Sequence, residues 1–319
     1  MSLFFLQFKT VRTSAFYSLL LGGVVACSYA LYLWLQMHAA GGSGRVDSFW
    51  DYGRWGEFLC YFLMLLTPLL FSVEIKKRKA LFLGCYVLAF VALLISGMRG
   101  PLLAVICVTG LYFILFNRRF LVPFLFLFVA MLGVIYIVAP SIIEFSISMF
   151  LSIFDFTHLS NLARFHMWFY ALEFFHYNLT HDLRALLFGS GFENLLSTFT
   201  SYMDATNQST TLVTATSGEA SFSDHHNAIL NVLNRMGLVY LLGLLASGYV
   251  VVSTLLRKLR QAPANPWYQS AFTVLLAYFI VGIFYSNELN YQTLMAAFMC
   301  VLAVRFGDAE LKQESQTHV

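Results

Sequence analysis

Apolar residues in this chain fall into long runs separated by short polar connections. Eight runs, at about 13–36, 57–74, 80–97, 101–117, 120–140, 228–256, 267–285 and 289–305, have the length that crosses roughly 30 Å of hydrocarbon. The pattern predicts an all-α, polytopic bundle of about eight transmembrane helices, a single membrane domain over 1–319. The first run is too long for a signal peptide and lacks a small-residue cleavage site, so it reads as a first span. Two connections are longer than turns, roughly 38–56 and 141–227. Within the second, Leu162, Phe165, Phe169, Leu172 and Phe175 recur at three- and four-residue spacing, one apolar face of a helix lying along the membrane surface. The stretch 199–224 is polar and rich in Ser and Thr, which predicts a flexible loop or lid.

Composition agrees with the pattern. The 319 residues are 59% hydrophobic and 11% charged, with a mean hydropathy of +0.73; a soluble domain carries about 25% charged residues. Cys27, Cys60, Cys85, Cys107 and Cys300 all lie in apolar runs without a CxxC pair and read as small buried hydrophobes. The net charge of +3 is too small to imply a nucleic-acid partner.

The positive charge is sorted by side. Lys9, Arg12, the run from Lys76 to Lys79, Arg118, Arg119, Arg257, Lys258, Arg260, Arg305 and Lys312 make 13 of the 19 basic residues, and all lie in alternate connections. The opposite side holds Arg45, Arg54, Arg99, Arg164 and Arg184, with Arg235 just inside a span. Cytoplasmic loops carry the Lys and Arg excess, so both termini are expected in the cytoplasm. The long connection 141–227 is then expected on the outer face of the membrane.

Against this apolar background, three outer stretches carry candidate chemistry. "SGMRGP" ends the third run; its glycines allow a tight turn, and Pro101 suits the first turn of the next helix. Arg99 is therefore expected at the outer edge, facing water or a polar pocket. "LARFHMW" places Arg164 near the start of the surface helix. "SDHHNAILNVLNRMGLVY" places His225, His226 and Asn227 where the sixth run enters the membrane. Taken singly these are a snorkelling arginine, a loop arginine and a capping histidine. Taken together they are permanent cations beside a titratable base, which suits an anionic ligand and proton transfer. No metal site is expected, because adjacent histidines are not one helical turn apart and HExxH is absent.

The order "SGMRGPLLA", "ARFHMW", "LLFGSGFENLL", "HHNAILNVLNRMGL" resembles the O-antigen ligase and polymerase superfamily over roughly 40–305. The resemblance implies a helical membrane bundle like that of the GT-C glycosyltransferases, with one large periplasmic loop and no cofactor. It implies transfer of a glycan from an undecaprenyl-diphosphate carrier to an acceptor, without metal. By motif, Arg99 and Arg164 match essential arginines, and His226, the histidine followed by Asn227, matches an essential histidine. Arg45 corresponds to a further basic residue of an earlier outer loop. Members of the family run longer, so the chain is expected to be a fragment or a shortened relative.

In this reading Arg99 and Arg164 hold the diphosphate, since the planar guanidinium binds phosphate oxygens in pairs and stays charged. His226 takes the proton of the acceptor hydroxyl, with inversion at the anomeric carbon. In the alternative, His226 binds phosphate as a cation while Glu193 or Asp224 is the base. Arg235 either lines the lipid-carrier groove or pairs with Glu288. Arg45, Arg235, Asn227 and His225 complete the expected substrate contacts. The leading activity is ligation of O-antigen onto the lipid A core oligosaccharide. A Wzy-type polymerase is the nearest rival, and a non-catalytic polyprenyl-glycan transporter is the rival of another class.

Overall fold

A computed structural model describes residues 8–42, 44–72, 78–191, 193–218, 220–285 and 291–317. All regular structure among them is helical. In chain order the α-helices are α1 (Lys9–Ala39), α2 (Tyr52–Phe71), α3 (Lys79–Ser96), α4 (Arg99–Phe116), α5 (Leu121–Val138), α6 (Pro140–Leu151) and α7 (Leu159–His181). There follow α8 (Leu183–Phe188), α9 (Leu195–Ala205), α10 (Ser209–Ala215), α11 (Ala228–Gln261), α12 (Pro266–Phe284) and α13 (Gln292–Thr317). Seven of the described segments are long and apolar enough to cross a membrane: α1 to α4, Arg118–Val138, α11 and α12. The chain is thus a multi-pass helical membrane protein. The expected eighth span maps to α13, which is not among the seven; its C-terminal half carries Asp308, Glu310 and Lys312. Residues 289 and 290, where that run was expected to start, lie outside the described residues.

The chain divides into two units. The first comprises Met1–Phe150, Leu255–Phe279 and Leu289–Val319, and the second Leu151–Thr254 and Ile280–Glu288. α2 is the axis of the first. Every residue from Trp55 to Leu69 is buried, as expected of a helix that is apolar all round. Lipid tails are as apolar as leucine, so helices in a membrane associate through close packing and interhelical hydrogen bonds. Both occur here. Ser270 and Thr273 of α12 donate to the Leu65 and Met64 carbonyls of α2, each at 2.8 Å. Gly23 of α1 leaves room for the Phe62 ring, which a Cβ would meet at 2.9 Å.

In the second unit the polar stretch 199–224 is not a flexible loop but holds most of α9 and all of α10. Phe199, Tyr202, Met203 and Leu212 are spaced to one side of these helices and are buried with Tyr170, Phe174 and Leu195. The Ser and Thr residues between them masked that spacing. α7 forms over the segment where a surface helix was expected. Its buried side is Ala163, Met167, Tyr170, Ala171 and Phe174, whereas Phe165, Phe169 and Leu172, from the predicted face, are exposed. The helix is apolar on two sides, and periodicity marked the outer one. Phe175 is the exception and packs against Val232, Leu233 and Leu241.

α11 is broken at Gly237, whose φ of 82° and ψ of 174° lie in a region open almost only to glycine. The "GSG" segment fits into the break. The amides of Ser190 and Gly191 donate to the Asn234 and Arg235 carbonyls, both at 2.9 Å. Gly189 has nearly the same backbone angles, φ 76° and ψ 174°. A Cβ on Gly189 would lie 2.2 Å from the Arg235 carbonyl oxygen, and one on Gly237 2.3 Å from that of Leu187. Gly189→Ala or Gly237→Ala is therefore expected to cost about 4 kcal/mol or more through clash and backbone strain together. Membrane protein levels and thermal unfolding of purified protein check this. Gly243→Ala, where a Cβ meets nothing within 4 Å, should match the parent.

Candidate active site

The turn between α3 and α4 belongs to the first unit. Gly97 closes α3 in the left-handed conformation, and the Ser96 hydroxyl donates to the Leu93 carbonyl at 2.7 Å. The outer loop folds against this turn, with the Val46 amide donating to the Ile95 carbonyl at 3.1 Å. Arg45 is brought alongside: its Cγ would lie 3.0 Å from a Cβ on Gly97, and its guanidinium reaches the Met149 sulfur at 3.8 Å. Arg99 is the first residue of α4 and is 6% exposed. It does not face open water. A cation at a helix N-terminus opposes the helix dipole, so Arg99 is poorly placed to stabilise α4.

The second unit gathers Arg164, Asp224, His225, His226, Asn227 and Arg235 around the turn that enters α11. Asp224 organises the turn. Its carboxylate accepts from the His226 amide at 2.7 Å and the Asn231 side-chain amide at 2.9 Å, and lies 3.4 Å from His226 Nδ1. His226 has φ +47°, a left-handed conformation uncommon outside glycine, in which histidine is several-fold enriched. Its carbonyl accepts from the Trp168 indole at 3.4 Å, and its ring remains 39% exposed.

Burial holds the His226 pKa below the ordinary histidine value; the nearby Asp224 carboxylate raises it and the Arg164 guanidinium lowers it. His226 is thus a neutral imidazole at pH 7. Arg164, projecting from α7, stands over the Tyr285 ring at 5.8 Å. Its Nε is buried and has no hydrogen-bond partner among the described residues.

The other expected contacts make hydrogen bonds within the fold. His225 is fully buried, its ring edge-on to Phe199 at 5.1 Å. The Asn234 side-chain amide donates to the Ala171 carbonyl and to His225 Nε2, both at 3.1 Å, which places the His225 proton on Nδ1. Burial pushes the His225 pKa down to about 4, with Asp224 opposing and Arg235 and, once protonated, His226 adding to the fall. Asn227 caps α11, its carbonyl oxygen accepting from the Ile229 and Leu230 amides at 3.1 Å. Arg235 donates to the Ser223 carbonyl and so ties the turn to α11. Glu288, its expected alternative partner, lies outside the described residues. Glu193 is exposed. Among the described residues no group of three or more His, Cys, Asp or Glu is placed to hold a metal.

Two features escaped the sequence reading. Asp224 was expected only as a rival base, although an aspartate two residues ahead of a turn amide is an Asx-turn signal. The Trp168 indole, 58 positions from His226, left no local signal.

The sequence model of the O-antigen ligase family matches residues 84–245, a span that includes Arg99, Arg164, the "GSG" segment and His226. The chain belongs to the O-antigen ligase family. No curated protein matches it. The match covers just over half of the chain and leaves Arg45 outside it. An O-antigen ligase family member acts on lipid-linked glycans.

Proposed function

We propose that this protein is an inverting, metal-independent glycosyltransferase of the bacterial inner membrane. It moves an O-antigen glycan from undecaprenyl diphosphate to the lipid A core oligosaccharide on the periplasmic face, with both chain termini in the cytoplasm. The observation that carries the chemistry is the setting of His226, a neutral imidazole held by Asp224 beside a guanidinium whose Nε has no partner among the described residues.

The acceptor hydroxyl oxygen attacks the anomeric carbon as the bond from that carbon to the diphosphate oxygen breaks. Its electron pair stays on the leaving diphosphate. The hydroxyl proton passes to the free ring nitrogen of His226, and Asp224, close to Nδ1, favours the imidazolium that results. Arg164 binds the phosphate oxygens, and the sequence motif gives Arg99 the same charge-neutralising role. The buried His225, the capping Asn227 and the tethering Arg235 hold the turn rather than the substrate.

Ligation is preferred to polymerisation on the "SGMRG" and "HNAIL" stretches, which are more similar to the ligases. Lipopolysaccharide gels of a strain lacking the gene separate the activities. Loss of all capped core with carrier-linked polymer retained is the expected result. Capped core bearing single repeats would instead make the protein a polymerase.

A further inference from the structure

The end of the first unit away from Arg99 carries a second basic feature. A cavity of about 740 Å³ opens between the ends of α2 and α4 and the start of α12, within the range of roughly 300–1,000 Å³ usual for ligand pockets. Its polar wall is Asn117, Arg118, Arg119 and Gln269, and its apolar wall includes Phe71 and Phe116. Among the described residues no carboxylate lines it, and two permanent positive charges face the cavity. Arg118 Nε donates to the Ile114 carbonyl at 2.7 Å, which uses one of five guanidinium N–H donors. Arg119 stands over the Phe120 ring at 4.8 Å. Beside the basic wall the surface becomes apolar: Leu115 at the cavity edge is 53% exposed, and Val122 and Phe126 on the adjoining α5 are 73% and 78% exposed.

α4 spans 18 residues between Arg99 and Phe116. At about 1.5 Å per residue this is roughly 27 Å, close to the thickness of the hydrocarbon core. The cavity therefore lies at the opposite membrane interface from Arg99 and is no part of the transfer chemistry. A pair of guanidiniums above an apolar edge matches an amphiphile with an anionic head and acyl chains. Basic pockets between transmembrane helices bind anionic lipid headgroups in this way.

We propose that this cavity binds the phosphodiester headgroup of an anionic phospholipid, with the acyl chains running along Leu115, Val122 and Phe126. The inference does not depend on the donor or acceptor of the transfer reaction. The test is native mass spectrometry of the full chain, purified in detergent and offered equal phosphatidylglycerol and phosphatidylcholine. Wild type is expected to retain phosphatidylglycerol selectively. The R118Q/R119Q double variant should bind it about thirtyfold more weakly, the loss of roughly fivefold per basic residue. Ala264→Trp, which puts a large ring on the cavity wall and removes no charge, should lose the lipid equally and decides the matter if the double variant fails to fold. Retention of both lipids alike, or undiminished phosphatidylglycerol binding in Ala264→Trp, would overturn the proposal. So would displacement of the lipid by inorganic phosphate, which would make this a simple anion site.

Discussion

Arg164→Ala is expected to slow glycan transfer by about 10²–10³-fold, the loss typical of removing one group that stabilises developing charge. Arg164→Lys should recover little. Buried polar groups in folded proteins are nearly always hydrogen-bonded, and a buried donor left unpaired costs about 1–3 kcal/mol. Arg164 Nε is such a donor among the described residues, and the contact of its guanidinium with the Tyr285 ring is long. A side chain kept at that cost serves a ligand better than the fold. Arg164→Ala should accordingly leave the thermal unfolding temperature unchanged or slightly raised, while donor binding in nanodiscs weakens. A lysine brings charge but not the paired N–H fork that grips two phosphate oxygens. Near-normal transfer by Arg164→Lys at normal protein level would remove the bidentate role. Arg99→Ala should likewise slow transfer, on the charge-neutralising role that its motif gives it.

The spans were legible because a bilayer demands continuous apolar sequence, and α1 to α5, α11 and α12 all carry it. What stayed hidden depends on partners distant in sequence. The break at Gly237 requires the backbone of Leu187 to Gly191, about fifty residues away, so the "GSG" segment reads as an unexplained motif until the two are seen together. α9 and α10 hide because Phe199, Tyr202, Met203 and Leu212 are separated by Ser and Thr that are neutral to helix periodicity. At the site, residue types were readable and several roles were not. Arg164 and His226 stand out as charged or titratable groups in an apolar chain. Asn227 resembles a ligand in the same motif but is spent on two amides of the α11 start, a signal present in its position directly before an apolar helix. Of the adjacent histidines, His225 turns inward to Phe199 and Asn234 and His226 stays partly exposed. Only the tertiary packing of α7 and α9 decides which.

That division between the histidines leads to the second large effect. His226→Ala should lose about 10²–10⁴ in single-turnover rate, the range for a general base, while still binding carrier-linked donor through the arginines. The pH dependence carries the sign of the role. Burial and Arg164 hold the His226 pKa below 6.5 against the pull of Asp224. A base must be neutral to act, so kcat/KM should rise with pH through that depressed value and stay flat through neutrality. A phosphate-binding imidazolium would do the reverse, being lost as pH rises. Asp224→Asn keeps an oxygen that can accept from the His226 amide but removes the carboxylate charge. Its acid limb should move to lower pH, and its plateau should fall because the imidazolium formed in transfer is less stabilised. Arg164→Ala removes a charge that lowers the pKa, so its residual activity should show the limb moved to higher pH. His225→Ala should instead reduce folded protein, since it empties a fully buried position against Phe199, and the acid limb of what remains should shift little. Opposite displacements in Asp224→Asn and Arg164→Ala are a signature that a merely structural His226 would not give. An unmoved limb in both variants, with transfer still lost in His226→Ala, would leave His226 as a prop of the turn and return the proton to another group.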